Sequence, residues 1–392
     1  MSKESNYTLG DLITLQRGFD ITRSEQTYGP YPVVSSSGIT SYHHEYKTKG
    51  PGVVIGRKGT LGTAFYIDKD FWPHDTTLWV KDFKGNDPYY VYCLLSLLHL
   101  EQLDTGSANP TLNRNYAHQI PIREVSFDTQ KNISKVICSI DSKISNNASI
   151  CSELEAMAKT LYDYWFVQFD FPDENGKPYR ASGGEMVWNE QLKREIPRGW
   201  TAKSLSEICK FRNGINYEKD CLGDYTYRIA NVRNITASSF LMDVSDFDEI
   251  MLPKEQGNRY VLSKNDIIIA RSGTPGATRL VIDPSNNVIF CGFIICCTPS
   301  NSKHRLYLTH FLKQLEGTNA TKTGGSILQN VSQDTLKSLQ VALPNDFVLD
   351  RFNKKIEPLV QMMQNIIDEN RALIQLRDWL LPMLMNGQAR VE

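Results

Sequence analysis

Two stretches of this chain carry nearly the same chemistry. Val54 to Gly62 reads VIGRKGTLG, and Ile268 to Gly276 reads IIARSGTPG, 214 positions further on. Both follow the pattern apolar-apolar-small-Arg-x-Gly-Thr-x-Gly. An arginine flanked by small residues can bring its planar fork to a phosphate or to a guanine edge, because the backbone itself can approach. Arg57, Lys58 and Thr60 are therefore candidate contacts in the first stretch, with Arg271, Ser272 and Thr274 in the second. The alternative is that the Gly-Thr-x-Gly turns close a strand pair and leave the arginine in solvent. A second set lies in polar loops: Thr105, Ser107, Asn109, Asn113 and Arg114, with Lys322, Thr323, Ser326 and Gln329. Amides and hydroxyls there suit base edges or phosphates, and they equally suit an ordinary loop. A third set pairs Ser35, Ser36, Tyr42, His43 and His44 with Arg228, Asn231 and Arg233.

Catalytic patterns do not complete themselves. Asp87-Pro88-Tyr89-Tyr90 is one proline short of the DPPY motif of amino-methyltransferases, and no glycine-rich strand–turn–helix accompanies it. Pro172-Asp173-Glu174 is followed by Lys177 one position too late for a nuclease PD…ExK pattern. The Gly-Thr loops lack the GK[ST] of a phosphate-binding loop, and Ser35-Ser36-Ser37-Gly38 has no GxSxG frame. His43-His44 reads as a surface pair without further ligands, so no metal centre is expected. None of the eight cysteines forms a CxxC pair, and Cys296-Cys297 sits in an apolar run that reads as a buried strand. A net charge of −1 argues against coating nucleic acid by charge alone, while leaving local basic patches open. The polar MSKESNYTLG start predicts no signal peptide, and no apolar run reaches membrane-spanning length, so the expected location is the cytoplasm.

The elements that must hold these residues repeat as well. LGDLITLQRG (Leu9 to Gly18) resembles LSEICKFRNG (Leu205 to Gly214), and LYDYWF (Leu161 to Phe166) matches LRDWLL (Leu376 to Leu381). Short β-branched runs bounded by Gly, Pro and Asn predict buried strands: PYPVVSSSG, PGVVIG, GTAFYI and TTLWV, then DIIIARSG, TRLVID and NVIFCGFIICC. YYVYCLLSLLHLEQL and RLYLTHFLKQLEG predict matching helices, the second closed by Gly317. After each β-rich half, apolar residues alternate at spacings of four and three, the seam of a coiled coil. Pro358 falls inside the second seam and predicts a kink or a late helix start. An antiparallel pairing of the seams sets Trp165 against Phe352, Leu161 against Ile356, and Asn147 against Asn370, where two core amides satisfy each other. A forty-residue helix spans on the order of 60 Å, against about 34 Å for a DNA turn. Two heads on such a strut would meet separate half-sites.

Taken together, the repeat, the central LYDYWFVQFDFP…NGKPYRASGGEMVWNEQLKREIPRGW and the closing LRDWLLPMLMNGQARV resemble type I restriction–modification specificity subunits over essentially the full length. A tail of that family often carries a lysine near the position of Met383. The resemblance implies an α+β chain with two β-rich target recognition domains related by an internal pseudo-twofold repeat, separated by two long antiparallel coiled-coil helices. The boundaries are 1–126 for the first recognition domain, 127–170 for the central helix, 171–198 for a linker with a hairpin near Asn175-Gly176, 199–344 for the second recognition domain and 345–392 for the closing helix. It also implies that each domain reads one half of a bipartite asymmetric double-stranded DNA site. The helices set the unread spacer and dock two methyltransferase subunits, which hold S-adenosylmethionine. Restriction subunits using ATP and Mg complete the larger complex, and this chain carries no catalysis and no cofactor of its own. The rival readings are a diverged solitary methyltransferase or nuclease, and a coiled-coil scaffold with no DNA role.

Overall fold

The computed structural model describes residues 7–103, 111–217, 223–282, 284–285, 287–318 and 330–391. Packing divides the chain into two units: 1–146 with 370–392, and 147–369. Each unit contains one β-rich head and parts of both long helices, so the packing boundaries cut through the helices instead of separating heads from helices.

The first unit opens with α1 (Leu9–Leu12), β1 (Thr14–Arg17), β2 (Tyr31–Ser35), β3 (Gly38–His43), β4 (Gly52–Gly56), β5 (Ala64–Ile67), β6 (Trp72–Pro73) and β7 (Thr77–Asp82). Helices α2 (Pro88–Leu97), α3 (Arg114–His118) and the long α4 (Phe127–Tyr162) follow. One sheet runs β1-β7-β4-β5, and a smaller one runs β3-β2-β6 with β2 and β6 parallel.

The remainder of the chain repeats this plan. After the hairpin β8 (Met186–Asn189) and β9 (Arg194–Pro197) come β10 (Thr201–Ser204), α5 (Leu205–Ile208), β11 (Cys209–Asn213), β12 (Tyr225–Ala230), α6 (Val232–Ala237) and β13 (Asp248–Leu252). Next are α7 (Lys254–Gly257), β14 (Ile267–Ala270), β15 (Thr278–Leu280), β16 (Val288–Phe290) and β17 (Ile294–Pro299). Helix α8 (Arg305–Gln314), α9 (Gln333–Ser338), β18 (Gln340–Leu343) and the long α10 (Asp346–Met385) close the chain. The sheets are β11-β17-β14-β15 and β13-β12-β16, the same orders with the same parallel pair.

The duplication extends to single hydrogen bonds. Helix α1 starts with a capping box in which Asp11 accepts from the Thr8 amide at 2.9 Å, and α5 starts with Glu207 accepting from Ser204 at 2.8 Å. The Thr8 hydroxyl and amide draw the Asp11 carboxyl below its ordinary pKa, and the Lys203 ammonium, with the Ser204 amide and hydroxyl, draws the Glu207 carboxyl down to about 2. Val54 and Ile55 of β4, and all of Ile267 to Ala270 in β14, are buried. That explains why these strands read as continuous apolar runs and not as alternating ones.

Burial on α4 and α10 follows the seam pattern. Ile133 and Ile137 share a core with Leu381 and Leu384 in the first unit, and Leu154, Ala158 and Trp165 share one with Phe352, Ile356 and Met363 in the second. Three expectations change. Helix α10 runs unbroken from Asp346 past Pro358, so the proline does not delay its start. Buried Ile356 and Val360 on either side tie that turn to the core, and packing outweighs one lost backbone bond. Helix α8 stops at Gln314 with Leu315 as its cap, and Gly317, at φ 73°, closes the following turn. The stretch read as a linker is folded: Phe171 and Ile196 are buried, and β8 pairs with β9. Its charged and turn-rich composition hides these few aromatic and aliphatic anchors.

Candidate nucleic-acid interface

The two Arg-Gly-Thr loops have one backbone design. In the first, Gly56 N–H donates to Thr63 O at 3.0 Å and Gly62 N–H to Gly56 O at 2.9 Å. In the second, Ala270 N–H donates to Ala277 O at 2.8 Å and Gly276 N–H to Ala270 O at 2.9 Å. Gly59 and Gly273 have φ of 77° and 76°, and Gly62 and Gly276 have 74° and 87°, values that a side chain makes costly. The loops therefore do close the pairs β4–β5 and β14–β15. They are also pinned from outside. Arg57 N–H donates to Thr76 O at 2.9 Å, and its carbonyl accepts from Leu112 at 2.9 Å; Arg271 N–H donates to Phe293 O at 2.8 Å, and its carbonyl accepts from Val331 at 2.9 Å. Sequence reasoning missed Thr76 and Phe293, although both directly precede repeated strands.

Fixed backbones leave the side chains as the variable part. Lys58, Thr60, Arg271 and Thr274 are exposed, and Ser272 is half-buried. Arg57 is half-buried, and its Nη1 is enclosed without a hydrogen-bond partner among the described residues. Such a donor is costly unless something supplies an acceptor.

The third set sits beside these loops. A methyl group placed on Gly59 would lie 3.5 Å from Ser36 Oγ, and one on Gly273 would lie 2.9 Å from Val232 Cγ1. The Ser35–Ser37 turn and α6 thus occupy corresponding places next to the two Arg loops. Ser35 and Ser37 share a hydroxyl contact at 3.0 Å, and Ser36 N–H donates to Thr76 Oγ1 at 3.3 Å. Thr236 of α6 meets the Thr274 hydroxyl at 3.2 Å. Tyr42 is exposed, with the Lys69 ammonium 5.6 Å from its ring centroid.

His43 departs from its expected surface position. It is 4% exposed, lies 5.3 Å from the Trp72 ring and takes the Thr27 N–H on Nδ1 at 3.1 Å. It belongs to the core, because an imidazole with its polar edge bonded packs there as an aromatic. His43, His44 and Glu45 bring potential metal-ligand atoms within 4.8 Å of one another. Both rings, however, are already engaged by Thr27.

Asn113 caps α3, accepting from Asn115 N–H at 2.9 Å, and Arg114 follows it, exposed. Thr105, Ser107, Asn109, Lys322, Thr323, Ser326 and Gln329 lie outside the described residues.

On the second head the expected arginines are accompanied by acids. Arg233 Nη2 reaches Asp248 Oδ1 at 2.7 Å and the Asp246 carbonyl at 3.0 Å, while Nη1 lies 3.3 Å from Asp246 Oδ2. Asn231 Nδ2 donates to Asp248 Oδ2 at 2.8 Å, and Arg228 lies 4.0 Å from Glu249. The hydrogen bond that Arg233 donates to the Asp248 carboxylate raises the pKa of its guanidinium.

On the helices, Trp165 and Phe352 stand 5.7 Å apart between ring centroids, and Leu161 packs on the core that holds Ile356. Asn147 is buried and donates Nδ2 to Glu369 at 2.8 Å.

A family model described as the type I restriction modification DNA specificity domain matches residues 1–156 and again 197–357. The chain is similar to the type I restriction enzyme MjaIX specificity subunit of Methanocaldococcus jannaschii, 26% identical over 312 residues, 78% of this chain and 69% of that one. It is also similar to the HindI specificity subunit of Haemophilus influenzae, 24% identical over 315 residues and 67% of each chain. The crystal structure of a type I restriction-modification system S subunit from M. genitalium shares the fold, with a TM-score of 0.58 at 17% identity over 96% of this chain and 95% of that one. Among the described residues, no helix is long and apolar enough to cross a membrane.

Proposed function

The chain belongs to the type I restriction–modification DNA specificity family, and from that premise we propose how its residues perform the task. It is the specificity subunit of a type I complex and is not itself an enzyme. The heads, residues 1–126 and 199–344, are target recognition domains, each reading one half of a bipartite, asymmetric site. The helices at 127–170 and 345–392 set the unread spacer and dock two methyltransferase subunits, which supply S-adenosylmethionine. Restriction subunits with ATP and Mg join in the full complex, in the cytoplasm.

The observation that carries this reading is the paired Arg loop. One backbone frame, down to the same external hydrogen bonds, holds Arg57-Lys58 in one head and Arg271-Ser272 in the other. The frame is common and the side chains differ, as expected when two heads read different sequences on the same kind of surface.

The test is a methylation map. This chain is co-expressed with its methyltransferase subunit, and modified adenines are located genome-wide. The expected result is an interrupted asymmetric motif, one half of which is lost when Arg57 and Lys58 are replaced and the other when Arg271 and Ser272 are. A continuous motif, or methylation that persists without this chain, would overturn the reading.

A further inference from the structure

We infer that Phe293 is a base-contacting residue of the second head, and that its phenyl ring takes an apolar surface of one base in that head's half-site. Two surfaces offer this chemistry: the 5-methyl group of thymine in the major groove, and the face of a base that has been unstacked. The inference rests on the DNA-reading role proposed above and adds a residue and a ligand chemistry to it.

Phe293 lies in the turn between β16 and β17 and is 62% exposed. The backbone of this turn is tied down. Cys291 N–H donates to Ala230 O at 3.0 Å, Gly292 N–H to Ile215 O at 2.7 Å and Ile294 N–H to Cys291 O at 2.9 Å, while the Phe293 carbonyl accepts from Arg271 N–H at 2.8 Å. Cys291 and Ile294, which flank the tip, are buried. A large ring on a backbone held this way loses little freedom when a ligand covers it. The fold itself leaves most of the ring in solvent.

Strand register decides what the ring stands beside. Strands β14 and β17 pair antiparallel with Ala270 opposite Ile294, and one step further sets Arg271 opposite Phe293. Opposed residues in such a pair extend their side chains to the same side. Exposed Arg271 and exposed Phe293 therefore leave the loop together. Residues 271–276, RSGTPG, bring one cation and no acid, so an anionic duplex can approach. The apolar groups that vary with its sequence belong to its bases. The first head fills the same place differently. Gly56 is opposite Thr77, so Arg57 is opposite Thr76, and the Thr76 hydroxyl meets His74 Nδ1 at 3.0 Å and the Ser36 N–H at 3.3 Å. The ring is thus an addition of the second head and not a requirement of the shared frame.

The test uses the complete complex with the methyltransferase subunit, carrying the unaltered chain, Phe293→Ala or Phe293→Leu. Methylated motifs are mapped for each. Binding is measured on duplexes that hold the site with deoxyuridine in place of each thymidine, or with 2-aminopurine at each adenine. The expected result is that Phe293→Ala relaxes one position of the half-site that depends on Arg271, by about 4-fold or more, the scale of one buried methyl group. Phe293→Leu keeps part of the preference. If a thymine methyl is the contact, one deoxyuridine weakens the unaltered complex by about 4-fold and leaves Phe293→Ala unaffected. If an unstacked base is the contact, deoxyuridine has no effect, and a 2-aminopurine beside the ring brightens on binding only when Phe293 is present. A motif unchanged in Phe293→Ala overturns the inference. Uniform weakening across all sequences identifies a sugar–phosphate contact and overturns it as well. Loss of a methyltransferase subunit from the Phe293→Ala complex in native mass spectrometry assigns the ring to a protein partner, with the same consequence. Absence of any interrupted motif with the unaltered chain instead rejects the DNA-reading role itself.

Discussion

The indole of Trp165 meets the phenyl ring of Phe352 at 5.7 Å between centroids, with the ring planes at 53°. Phe166, Tyr162 and His310 also meet Phe352 edge-to-face, at 4.7, 6.4 and 6.3 Å between centroids. Helices α4 and α10 are thus locked in the second unit by a cluster of large rings and not by a plain aliphatic seam. Phe352→Ala should cost about 3–5 kcal/mol, measured as a shift of the urea midpoint. The Phe352→Ala, Trp165→Ala pair should cost clearly less than the two single changes added. Additive costs would mean that the rings do not work as one cluster.

Asn147 is 1% exposed and donates to the Glu369 carboxylate at 2.8 Å. Replacing it with Leu removes one hydrogen bond to an exposed carboxylate that water can solvate, and should destabilise by about 0.5–1.5 kcal/mol. Asn147→Leu combined with Glu369→Leu should recover part of that loss. If the double variant is the least stable, the amide and the carboxylate are not partners.

Both heads use a glycine where two backbones nearly touch. A Cβ on Gly18 would lie 2.1 Å from the His74 carbonyl oxygen, and one on Gly214 would lie 2.1 Å from that of Cys291. Each glycine is followed by a parallel bridge, Phe19 with His74 and Ile215 with Cys291. Gly18→Ala and Gly214→Ala should each cost about 1–3 kcal/mol through forced backbone shifts. Hydrogen exchange should show the loss confined to the unit that carries the change. Equal loosening of both units would contradict the division into two packed bodies.

How much of this was legible in sequence depended on the scale of the signal. The duplicated loops and strands were readable because glycines at positive φ and buried β-branched runs are local requirements. The Trp165–Phe352 contact was readable, since both residues lie on regular seams. The Asn147–Glu369 bond was not, because a long carboxylate can reach an amide from beside its own seam position. The acidic collar of Arg233 was hidden for a similar reason. Asp246 lies in the connection between β12 and β13, which is far longer than that between β2 and β3, and Asp248 opens β13 where β3 opens with Gly38, so no repeated residue type pointed to them.

His310 gives the second unit a predictable acid sensitivity. Its ring is 4% exposed between Tyr162 at 5.5 Å and Phe240 at 5.0 Å, and Nε2 has no partner among the described residues. Burial, with Lys313 and Lys159 nearby, pushes its pKa down to about 3. Above about pH 6.5 the ring is neutral in both folded and unfolded chains, and the site contributes no pH dependence. As pH falls below that, the unfolded chain takes up a proton that the folded chain refuses, so stability drops until the folded pKa is reached. The slope is at most about 1.4 kcal/mol per pH unit. His310→Phe keeps the stack without titrating. Urea midpoints between pH 7 and pH 4 should therefore fall less steeply for the variant, and parallel curves would reject the assignment.

The two helices also present a matched pair of exposed rings. In the repeat that aligns LYDYWF with LRDWLL, Tyr164 corresponds to Trp379, and these rings are 37% and 59% exposed. Neighbouring Leu161 and Leu376 correspond as well, and Leu376 is 45% exposed. Large aromatic groups left in solvent on a helix, twice and at the same repeat position, suit one partner bound in two copies. If these rings anchor the two methyltransferase subunits proposed above, Trp379→Ala and Tyr164→Ala should each weaken one subunit. Native mass spectrometry would then show complexes with one methyltransferase in place of two, and the double variant would hold neither. A fall of about 2 kcal/mol per anchor, roughly 30-fold in affinity, is the scale expected for a central aromatic. Retention of both subunits by the double variant would place the docking surface elsewhere on α4 and α10.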